Sequence, residues 1–569
     1  MSSYGAIGLE GTDVDPLLEA EASIRRSTSA ADIPVSNRLS QPRHSLQRQP
    51  YLFTGGIALS PEGSQLSLNS GEDFHRQHNN AVRYRLYNRL DQGQGHLRMP
   101  DHVTPPEYFS ILPFDELRDR SGKQSSLVTI FSLWNTIMGT SLLTMPWALQ
   151  QAGLALGIII YLAMCAVCLY TAYRVLQSAD GIPNLQVDPS VAEFSDVCEY
   201  FFGKIGMSIS VVSSVVVFLG GIIVYWVLMS NFLYFTGTVV YDALQPNSST
   251  IPIMENKTFT CDIYCPDEVQ YSSLYTPYVP QFSYGNASSE STFDKFWQLQ
   301  NTVPFYLAIV AFPLFNFKSP TFFTKFNVLG TISVVYLLVF TGSKFVECGF
   351  NMDFVNPNSI HYVKLFNWKF PALTGTLTLS YFIHNAVRTI LRNQRNPENN
   401  ARDLSIAYCL AAGCYVYIAV AFFAGFPVQR SCISDNMLNN FGTGDILSSM
   451  ARLFLLFQML TVLPLLMYLT RTQIFYAICG DGYPGLFWVI LMNLGIMSIA
   501  IFFAVFYPKV GSIIRYVGAI CGMVYVFTLP TIVHLKKLQM RDELTNTKKM
   551  LHFLIIGFGV ANMIAQFIM

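Results

Sequence analysis

The chain has 569 residues, of which 51% are hydrophobic and 13% are charged, and its formal net charge is zero. Soluble domains carry about a quarter charged residues, so this composition predicts an all-α membrane protein with many spans. The neutral balance and the lack of a basic stripe argue against a nucleic-acid partner. There is no phosphate-binding loop, which argues against ATP-driven transport. We also find no nucleophile–base arrangement inside the apolar segments, and we expect no enzyme.

Residues 1–118 differ from the rest of the chain because they are rich in Ser, Gln, Arg and Pro and lack sustained apolar periodicity. This composition predicts a mostly disordered cytosolic tail. The start of the tail fits a tyrosine motif and an acidic dileucine motif, which adaptor proteins read when they sort membrane proteins to endosomes and lysosomes. The residues that define the two motifs are Tyr4, Ile7, Asp13, Leu17 and Leu18.

A second feature of the tail is Val82–Leu90, which reads VRYRLYNRL and alternates basic with aromatic residues. One interpretation is an ordinary solvated stretch. The other is a linear peptide that becomes ordered when it binds in the groove of a partner protein.

From Ser126 onward, apolar segments long enough to cross a bilayer follow one another, and we predict about eleven transmembrane helices within residues 119–569. The predicted spans are Ser126–Leu149, Leu154–Tyr173, Met207–Tyr241, Thr302–Phe317, Phe326–Val346, Pro371–Leu391, Leu404–Phe426, Ile446–Thr470, Leu486–Tyr507, Ile513–Val533 and Met550–Met569.

The loops indicate how the chain is oriented. With the tail in the cytosol, most Lys and Arg of the short loops fall on the cytosolic side, which is the positive-inside pattern. The long loop 242–301 and the C-terminus then lie on the lumenal side. This loop contains N-glycosylation sequons at Asn247, Asn256 and Asn286, which independently favours that orientation.

Four cysteines fall on the same lumenal side, where disulfide bonds persist. They are Cys261, Cys265, Cys348 and Cys432. The sequence leaves their pairing open. We favour Cys265 with Cys432, which would join the long loop to the loop between the seventh and eighth spans.

The first span has an unusual centre. Asn135, Thr136 and the run Gly139–Ser141 place small and polar residues at mid-depth, and Pro146 follows. Glycine and proline weaken a helix, so we predict an interruption near Ile137–Ser141. Such a break exposes carbonyls at one helix end and N–H groups at the next, which suit an ammonium, a small cation and a carboxylate. The alternative is an ordinary span whose small residues let neighbouring helices approach.

If two halves of five spans are related by an inverted repeat, the sixth span should resemble the first. Thr374, Gly375 and Thr376 again place small and polar residues in it, and His384 and Asn385 follow. The match is one of composition, without a detectable sequence repeat.

The coupling ion is suggested by what the spans contain. They hold no Asp or Glu, so a bound cation would need neutral oxygens, which fits Na⁺. Thr461, one turn before Pro464 in the eighth span, could join oxygens at Asn135 and Gly139 around the ion. The alternative is a threonine hydroxyl that bonds back to its own helix. Two further polar positions are Asp445, a loop acid available to a guanidinium, and Arg452, expected to anchor at the membrane interface.

Several uncommon strings resemble solute carrier family 38, of the amino acid/auxin permease superfamily, from about Val82 to Met569. They include SSLVTIFSLWNTIMGTSLLTMPWALQQAG (Ser125–Gly153), IVYWVLMSNFL (Ile223–Leu233), YFIHN (Tyr381–Asn385) and FLLFQMLTVLPLL (Phe454–Leu466). The resemblance implies a LeuT-like fold of five plus five inverted repeats with an eleventh helix, and Na⁺-linked amino-acid transport.

For one lysosomal branch of that family, the resemblance implies further properties. They are export of essential neutral amino acids such as leucine in response to arginine, glutamine as another substrate, and activation of the mTOR complex through Ragulator and Rag GTPases. Cholesterol of the bilayer is a further expected partner. The substrate residues implied are Asn135, Thr136, Met138, Gly139, Thr140 and Ser141, and Thr461 matches the sodium-site threonine.

The same resemblance places a partner-binding segment at residues 82–105 of the tail. Its matching residues are Tyr84, Tyr87, Arg89, Leu90, Pro100, Asp101 and Pro105. Two alternatives remain open on the sequence: a receptor or signalling scaffold that binds amino acids without transporting them, and a plain Na⁺-coupled carrier without signalling.

Overall fold

The computed structural model describes residues 104, 106–110, 124–183, 185, 189, 191–244, 261–266, 292–316, 321–480 and 484–568. All of them belong to one compact unit, Asn69–Met569. The predicted sorting signals, the three sequons and the seven partner-binding residues of the tail lie outside the described residues. They stay predictions.

The described chain is built almost entirely from helices, because a backbone in lipid must satisfy its own hydrogen bonds. In chain order they are α1 Ser126–Met138, α2 Met145–Ala152, α3 Leu154–Leu176, α4 Phe194–Leu244, α5 Thr292–Phe296, α6 Val303–Phe315, α7 Thr321–Thr324, α8 Asn327–Cys348, α9 Pro371–Ser380, α10 Val387–Leu391, α11 Asn400–Gly425, α12 Ile446–Cys479, α13 Leu486–Phe506, α14 Val510–Cys521, α15 Leu529–Met540 and α16 Asn546–Ile568. A π-helix, Gly522–Thr528, joins α14 to α15.

The all-α, polytopic fold class is confirmed. In the described part of the chain, eight helices are long and apolar enough to cross a membrane, and the bent pair that contains α1 and α2 raises this number to nine. Two other predicted spans coincide with shorter helices, α6 and the pair α9 and α10. The count of eleven spans and the five-plus-five repeat therefore stay predictions.

Helix α4 is longer than the predicted span Met207–Tyr241 because the chain continues helically on both sides of it. It contains a kink at Gly203, whose backbone has φ 65° and ψ −163°. Residues with a Cβ avoid that conformation, so glycine is what allows the chain to turn from a short leading segment into the long span.

Two disulfide bonds join the loops on one side of the bundle. Cys265 pairs with Cys432, which is the pairing that the sequence argument favoured, and Cys261 pairs with Cys348. The two bonds connect residues 261–265 to the end of α8 and to the segment that follows α11. Residues 261–265 are thereby held against two different parts of the helical bundle.

The expectation that Arg452 anchors at the membrane interface is wrong. The side chain is 1% exposed and lies within the fold. Its Nη2 donates to the carbonyls of Leu438 and Phe441, both at 2.7 Å, and the guanidinium lies 4.2 Å from the ring centroid of Phe235. These acceptors come from the loop before α12, and they offset part of the cost of burying the charge.

Candidate functional site

The first span is interrupted at Gly139, as the sequence predicts. α1 ends at Met138, a 3₁₀-helix covers Thr140–Thr144, and α2 begins at Met145. The two halves are bent by 48°. Gly139 has φ 43° and ψ −163°, a conformation that residues with a Cβ rarely adopt. Pro146 fits the first turn of α2, where its missing N–H costs nothing.

The break is accessible at one point, Gly139. Gly139 is exposed, whereas its neighbours Met138, Thr140 and Ser141 are buried. The Thr144 hydroxyl donates to the Ser141 carbonyl at 2.8 Å, and the Thr136 hydroxyl donates to the Ser132 carbonyl at 2.7 Å. The Thr136 and Thr144 hydroxyls are therefore bonded within their own half of the span, whereas the Ser141 hydroxyl is hydrogen-bonded to Tyr415.

The break of the sixth span lies later than the sequence suggested. Thr374, Gly375 and Thr376 belong to the regular helix α9, which ends at Ser380, and the chain is non-helical from Tyr381 to Ala386. His384 lies in this break and is hydrogen-bonded through Nε2 to the Thr171 hydroxyl of α3 at 2.9 Å. Small hydroxyl residues did not mark the break, because their side chains bond back to helix carbonyls and leave the helix intact.

The three residues predicted from this span to bind substrate face other helices. The Thr374 hydroxyl is 2.6 Å from the Asn562 side-chain oxygen of α16, and a Cβ on Gly375 would lie 2.9 Å from the Arg515 carbonyl oxygen of α14. The Thr376 hydroxyl donates to the Ala372 carbonyl at 2.8 Å. The structure thus places them in the packing between α9, α14 and α16, and the expectation that they border the break is corrected.

One side chain joins the two breaks. Tyr415 of α11 is completely buried, and its hydroxyl lies 2.8 Å from the Ile137 carbonyl oxygen and 3.3 Å from that of Met138, at the end of α1. The same hydroxyl lies 3.0 Å from the Ser380 carbonyl oxygen at the end of α9. Sequence reasoning missed Tyr415, which in the sequence is one of many aromatic residues of an apolar span.

Two of the residues proposed for Na⁺, Asn135 and Thr461, lie on helices that pack against α8. The Asn135 side chain accepts from Thr331 and donates to the Asn327 carbonyl, both at 3.4 Å. A Cβ on Gly330 would lie 2.7 Å from Asn135 Oδ1 and 3.0 Å from Gln458 Nε2, so this glycine lets α1 and α12 approach α8. Gln458 is a polar neighbour that the sequence analysis did not select.

The Thr461 hydroxyl lies one turn after Gln458 on α12. It donates to the Gln458 carbonyl at 2.7 Å, which leaves its lone pairs available to a cation. In this structure the Thr461 hydroxyl therefore bonds back to its own helix, which is the alternative that the sequence left open. Asn135, Gly139 and Thr461 as Na⁺ ligands remain a prediction.

Asp445 is not available to a substrate guanidinium. Its carboxylate lies 3.1 Å from Lys344 Nζ, and it accepts from the Ser448 N–H at the start of α12. Both side chains of the ion pair are nearly buried. Freeing Asp445 would leave the Lys344 ammonium with less compensation, so this suggestion from the sequence is wrong.

Asp435, in the loop before α12, connects that loop to α14. Its Oδ2 accepts from the Gly511 N–H at 3.0 Å, and a Cβ on Gly511 would also lie 2.8 Å from Trp147 of α2. Burial raises the pKa of the Asp435 carboxyl above its ordinary value of 3.8, against opposing hydrogen bonds from Gly511 and Asn436 and the charge of Lys509.

A raised pKa in the folded state means that Asp435 contributes most to stability when protonated, below its unfolded pKa. That contribution is lost as the pH rises through the folded value. Asp435→Asn keeps the acceptor for Gly511 without the charge. We expect the melting temperature of this variant to rise relative to that of the native protein as the pH increases from about 4 through the folded-state pKa of Asp435. Thermal unfolding in detergent at several pH values measures this difference.

Asp353→Asn is the matched control for this prediction. Backbone hydrogen bonds from Val355 and Asn356 lower the pKa of that exposed carboxyl, so its contribution is present above the unfolded pKa and lost on acidification. The Asn variant at 353 should therefore change stability in the opposite direction with pH. A pH-independent difference for Asp435→Asn would contradict the burial argument.

Most of the chain matches one family of membrane proteins. The family is described as "Transmembrane amino acid transporter protein", and the match covers residues 122–255 and 286–569. The chain belongs to this family. The resemblance to solute carrier family 38 is confirmed, and the protein is an amino acid transporter of that type and not an enzyme.

Similar proteins match nearly the whole length of this chain. The chain is 63% identical over 584 residues to "Sodium-coupled neutral amino acid transporter 9 homolog" of Caenorhabditis elegans, covering 100% of this chain and 95% of that protein. It is 43% identical over 504 residues to "Neutral amino acid transporter 9" of Xenopus tropicalis, covering 86% and 90%. The structure of MhsT in complex with L-phenylalanine matches with a TM-score of 0.45 and 12% identity, over 77% of this chain and 97% of that one.

Proposed function

We propose that this transporter moves neutral amino acids such as leucine and glutamine across the lysosomal (late endosomal) membrane, coupled to Na⁺, and that arginine regulates it. The observation that carries the transport mechanism is the meeting of two interrupted spans at one buried point, where carbonyls at the ends of α1 and α9 lie within 3.3 Å of the Tyr415 hydroxyl. Two adjacent helix breaks offer free carbonyl and N–H groups, which suit the ammonium and the carboxylate of an amino acid.

The chemistry of the breaks suits an α-amino acid. Carbonyl oxygens at the ends of α1 and α9 lie at negative helix ends, which favour the substrate ammonium group. The backbone N–H groups that follow Gly139 lie at the start of the second half of the span, where a carboxylate is favoured. The exposed Gly139 leaves room for the substrate backbone. In this proposal Asn135, Thr136, Met138, Thr140 and Ser141 surround the bound amino acid.

Coupling to Na⁺ is supported by the oxygen-rich, uncharged surroundings of Asn135 and Thr461. The name of the Caenorhabditis elegans relative, a sodium-coupled transporter homolog, supports the same ion. Hard cations prefer oxygen ligands, which amide, hydroxyl and carbonyl groups supply here. Arginine would act by binding one conformation better than the other, since no ligand shifts an equilibrium without such a preference.

Location and signalling rest on the tail. The residues Tyr4, Ile7, Asp13, Leu17 and Leu18 support adaptor binding and delivery to the lysosome, with the N-terminus in the cytosol and the C-terminus in the lumen. Residues 82–105 would bind Ragulator and Rag GTPases and activate the mTOR complex. Deleting 82–105 should then abolish Rag GTPase capture and leave transport intact.

Uptake by proteoliposomes tests the transport proposal. The purified full chain is reconstituted, and accumulation of labelled leucine, glutamine and arginine is measured with and without an inward Na⁺ gradient, with K⁺ replacing Na⁺ in the control. We expect accumulation of leucine above the equilibrium level only with the Na⁺ gradient. Equal accumulation in both salts would contradict Na⁺ coupling.

Binding without accumulation under any gradient would contradict transport and favour the receptor or scaffold. Transport together with failure of the tail to capture Rag GTPases would favour a plain carrier.

A further inference from the structure

Three backbone carbonyls converge on a single hydroxyl in the middle of the bundle. The Tyr415 oxygen lies 2.8, 3.3 and 3.0 Å from the carbonyl oxygens of Ile137, Met138 and Ser380. Ile137 and Met138 are the last two residues of α1 and Ser380 is the last of α9, and carbonyls at these positions have no partner within their own helix. Tyr415 therefore places a single hydroxyl donor beside the open ends of both interrupted spans.

The hydroxyl cannot satisfy all three acceptors. It has one hydrogen to donate, and its remaining lone pairs cannot bond to carbonyl oxygens. Two of the three carbonyls are consequently under-satisfied at a buried point where two negative helix ends meet. A group with several N–H donors and a positive charge would satisfy them better than a neutral hydroxyl.

The ring of Tyr415 is held in place, which keeps the hydroxyl at this point. It packs edge-on against Tyr381, with 5.3 Å between the ring centroids, and the side chain is completely buried on α11. Rotation about the C–O bond can turn the hydroxyl hydrogen away from the carbonyls without movement of the ring. All three acceptors then become available between α1 and α9.

We propose that Tyr415 is a positioning residue which caps α1 and α9 in the substrate-free transporter, and that the ammonium group of an amino acid replaces its hydroxyl hydrogen as the donor to these carbonyls. This inference rests on the proposed amino-acid site at the breaks. Tyr415 lowers the affinity for substrate, because binding requires the loss of the cap. The cap in turn keeps the empty site from leaving three buried carbonyls without any donor.

Tyr415→Phe removes the hydroxyl and keeps the ring. We expect it to bind leucine about fivefold more tightly, the effect of one hydrogen bond that no longer has to be displaced. A purely structural role predicts the reverse, since loosened helix ends would weaken binding. The effect should be restricted to ligands with an ammonium group. 4-Methylpentanoate keeps the carboxylate and side chain of leucine, and as a competitor it should bind the variant and the native protein equally.

Tyr408→Phe is the matched control. Tyr408 is also buried on α11, but its hydroxyl donates only to the Tyr381 carbonyl, at 2.9 Å, so it contacts one span. Equilibrium binding of labelled leucine to the three reconstituted proteins is the measurement. Tyr415→Met is a second variant without a hydroxyl, whose flexible side chain can fill the space if the Phe variant folds poorly.

Tighter leucine binding in the Tyr415 variants, with no change in Tyr408→Phe, supports the inference. Unchanged or weaker binding in the Tyr415 variants overturns it, as does an equal gain in Tyr408→Phe or for 4-methylpentanoate. Failure of the native protein to bind any amino acid would overturn the proposed function as well. Native binding without a gain in the variants would overturn the role of Tyr415 alone.

Discussion

Thr140→Trp is expected to abolish amino-acid uptake and leave a folded protein. Thr140 is 8% exposed and follows Gly139 at the start of the second half of the first span. An indole at this position, next to the accessible Gly139, would occupy the place proposed for the substrate backbone. Overpacking a buried site also costs about 1–3 kcal/mol. We expect uptake of labelled leucine to fall more than about a hundredfold, because the site is blocked rather than weakened.

Leu127→Trp is the control for this substitution. Leu127 lies on α1, in the same span, and its side chain is 66% exposed on the outside of the bundle. It adds the same indole to the same helix away from the break, and we expect near-native uptake. Thr140→Ser, which keeps the hydroxyl, should also retain most activity. Uptake by Thr140→Trp above about a tenth of the native rate would contradict a substrate site at the break.

Gly518→Val is expected to destabilise the protein strongly and to reduce the yield of folded protein. A Cβ on Gly518 of α14 would overlap the Gly375 carbonyl oxygen of α9 and would lie 2.9 Å from the Leu379 backbone N. These atoms belong to the backbone, so a side chain cannot yield, and the two helices must separate. We expect a destabilisation of at least about 3 kcal/mol, at the upper end of overpacking effects.

Separation of α14 from α9 would also move Ser380, the last residue of α9, away from the Tyr415 hydroxyl. Gly495→Val on α13 is the control, because nothing lies within 4 Å of its Cβ position. Thermal unfolding and the yield of monodisperse protein measure both variants. A melting temperature for Gly518→Val equal to that of Gly495→Val would show that the contact between α9 and α14 adapts, contrary to this account.

The local sequence determined the first interruption. Gly139 adopts a backbone conformation that side chains disfavour, and Pro146 starts the following helix, so the break follows from residues within a few positions of it. The apolar segments likewise follow from composition, because only a helix satisfies its backbone in lipid. The kink at Gly203 also has a local cause, although it lies outside the span that hydropathy predicted.

Tertiary structure decided where the second break lies and what holds the site together. Thr374 and Thr376 look like break residues, yet their hydroxyls bond to neighbouring helices or to their own, and the helix continues to Ser380. Asp445 forms an ion pair with Lys344, a residue 101 positions earlier. Such partners cannot be read from local spacing, because they depend on which helices pack together.

Tyr415 illustrates most clearly the difference between what the local sequence determines and what tertiary packing decides. In the sequence it is an aromatic residue in an apolar span, with nothing that distinguishes it from its neighbours. Its hydroxyl becomes significant only when α11 packs beside the ends of α1 and α9, which are more than 200 residues apart in the chain. The sequence by itself determined the spans and the first break, through backbone chemistry that acts locally. The packed bundle decided which side chains meet at the breaks, because convergence of carbonyls from separate helices is a property of their arrangement in space.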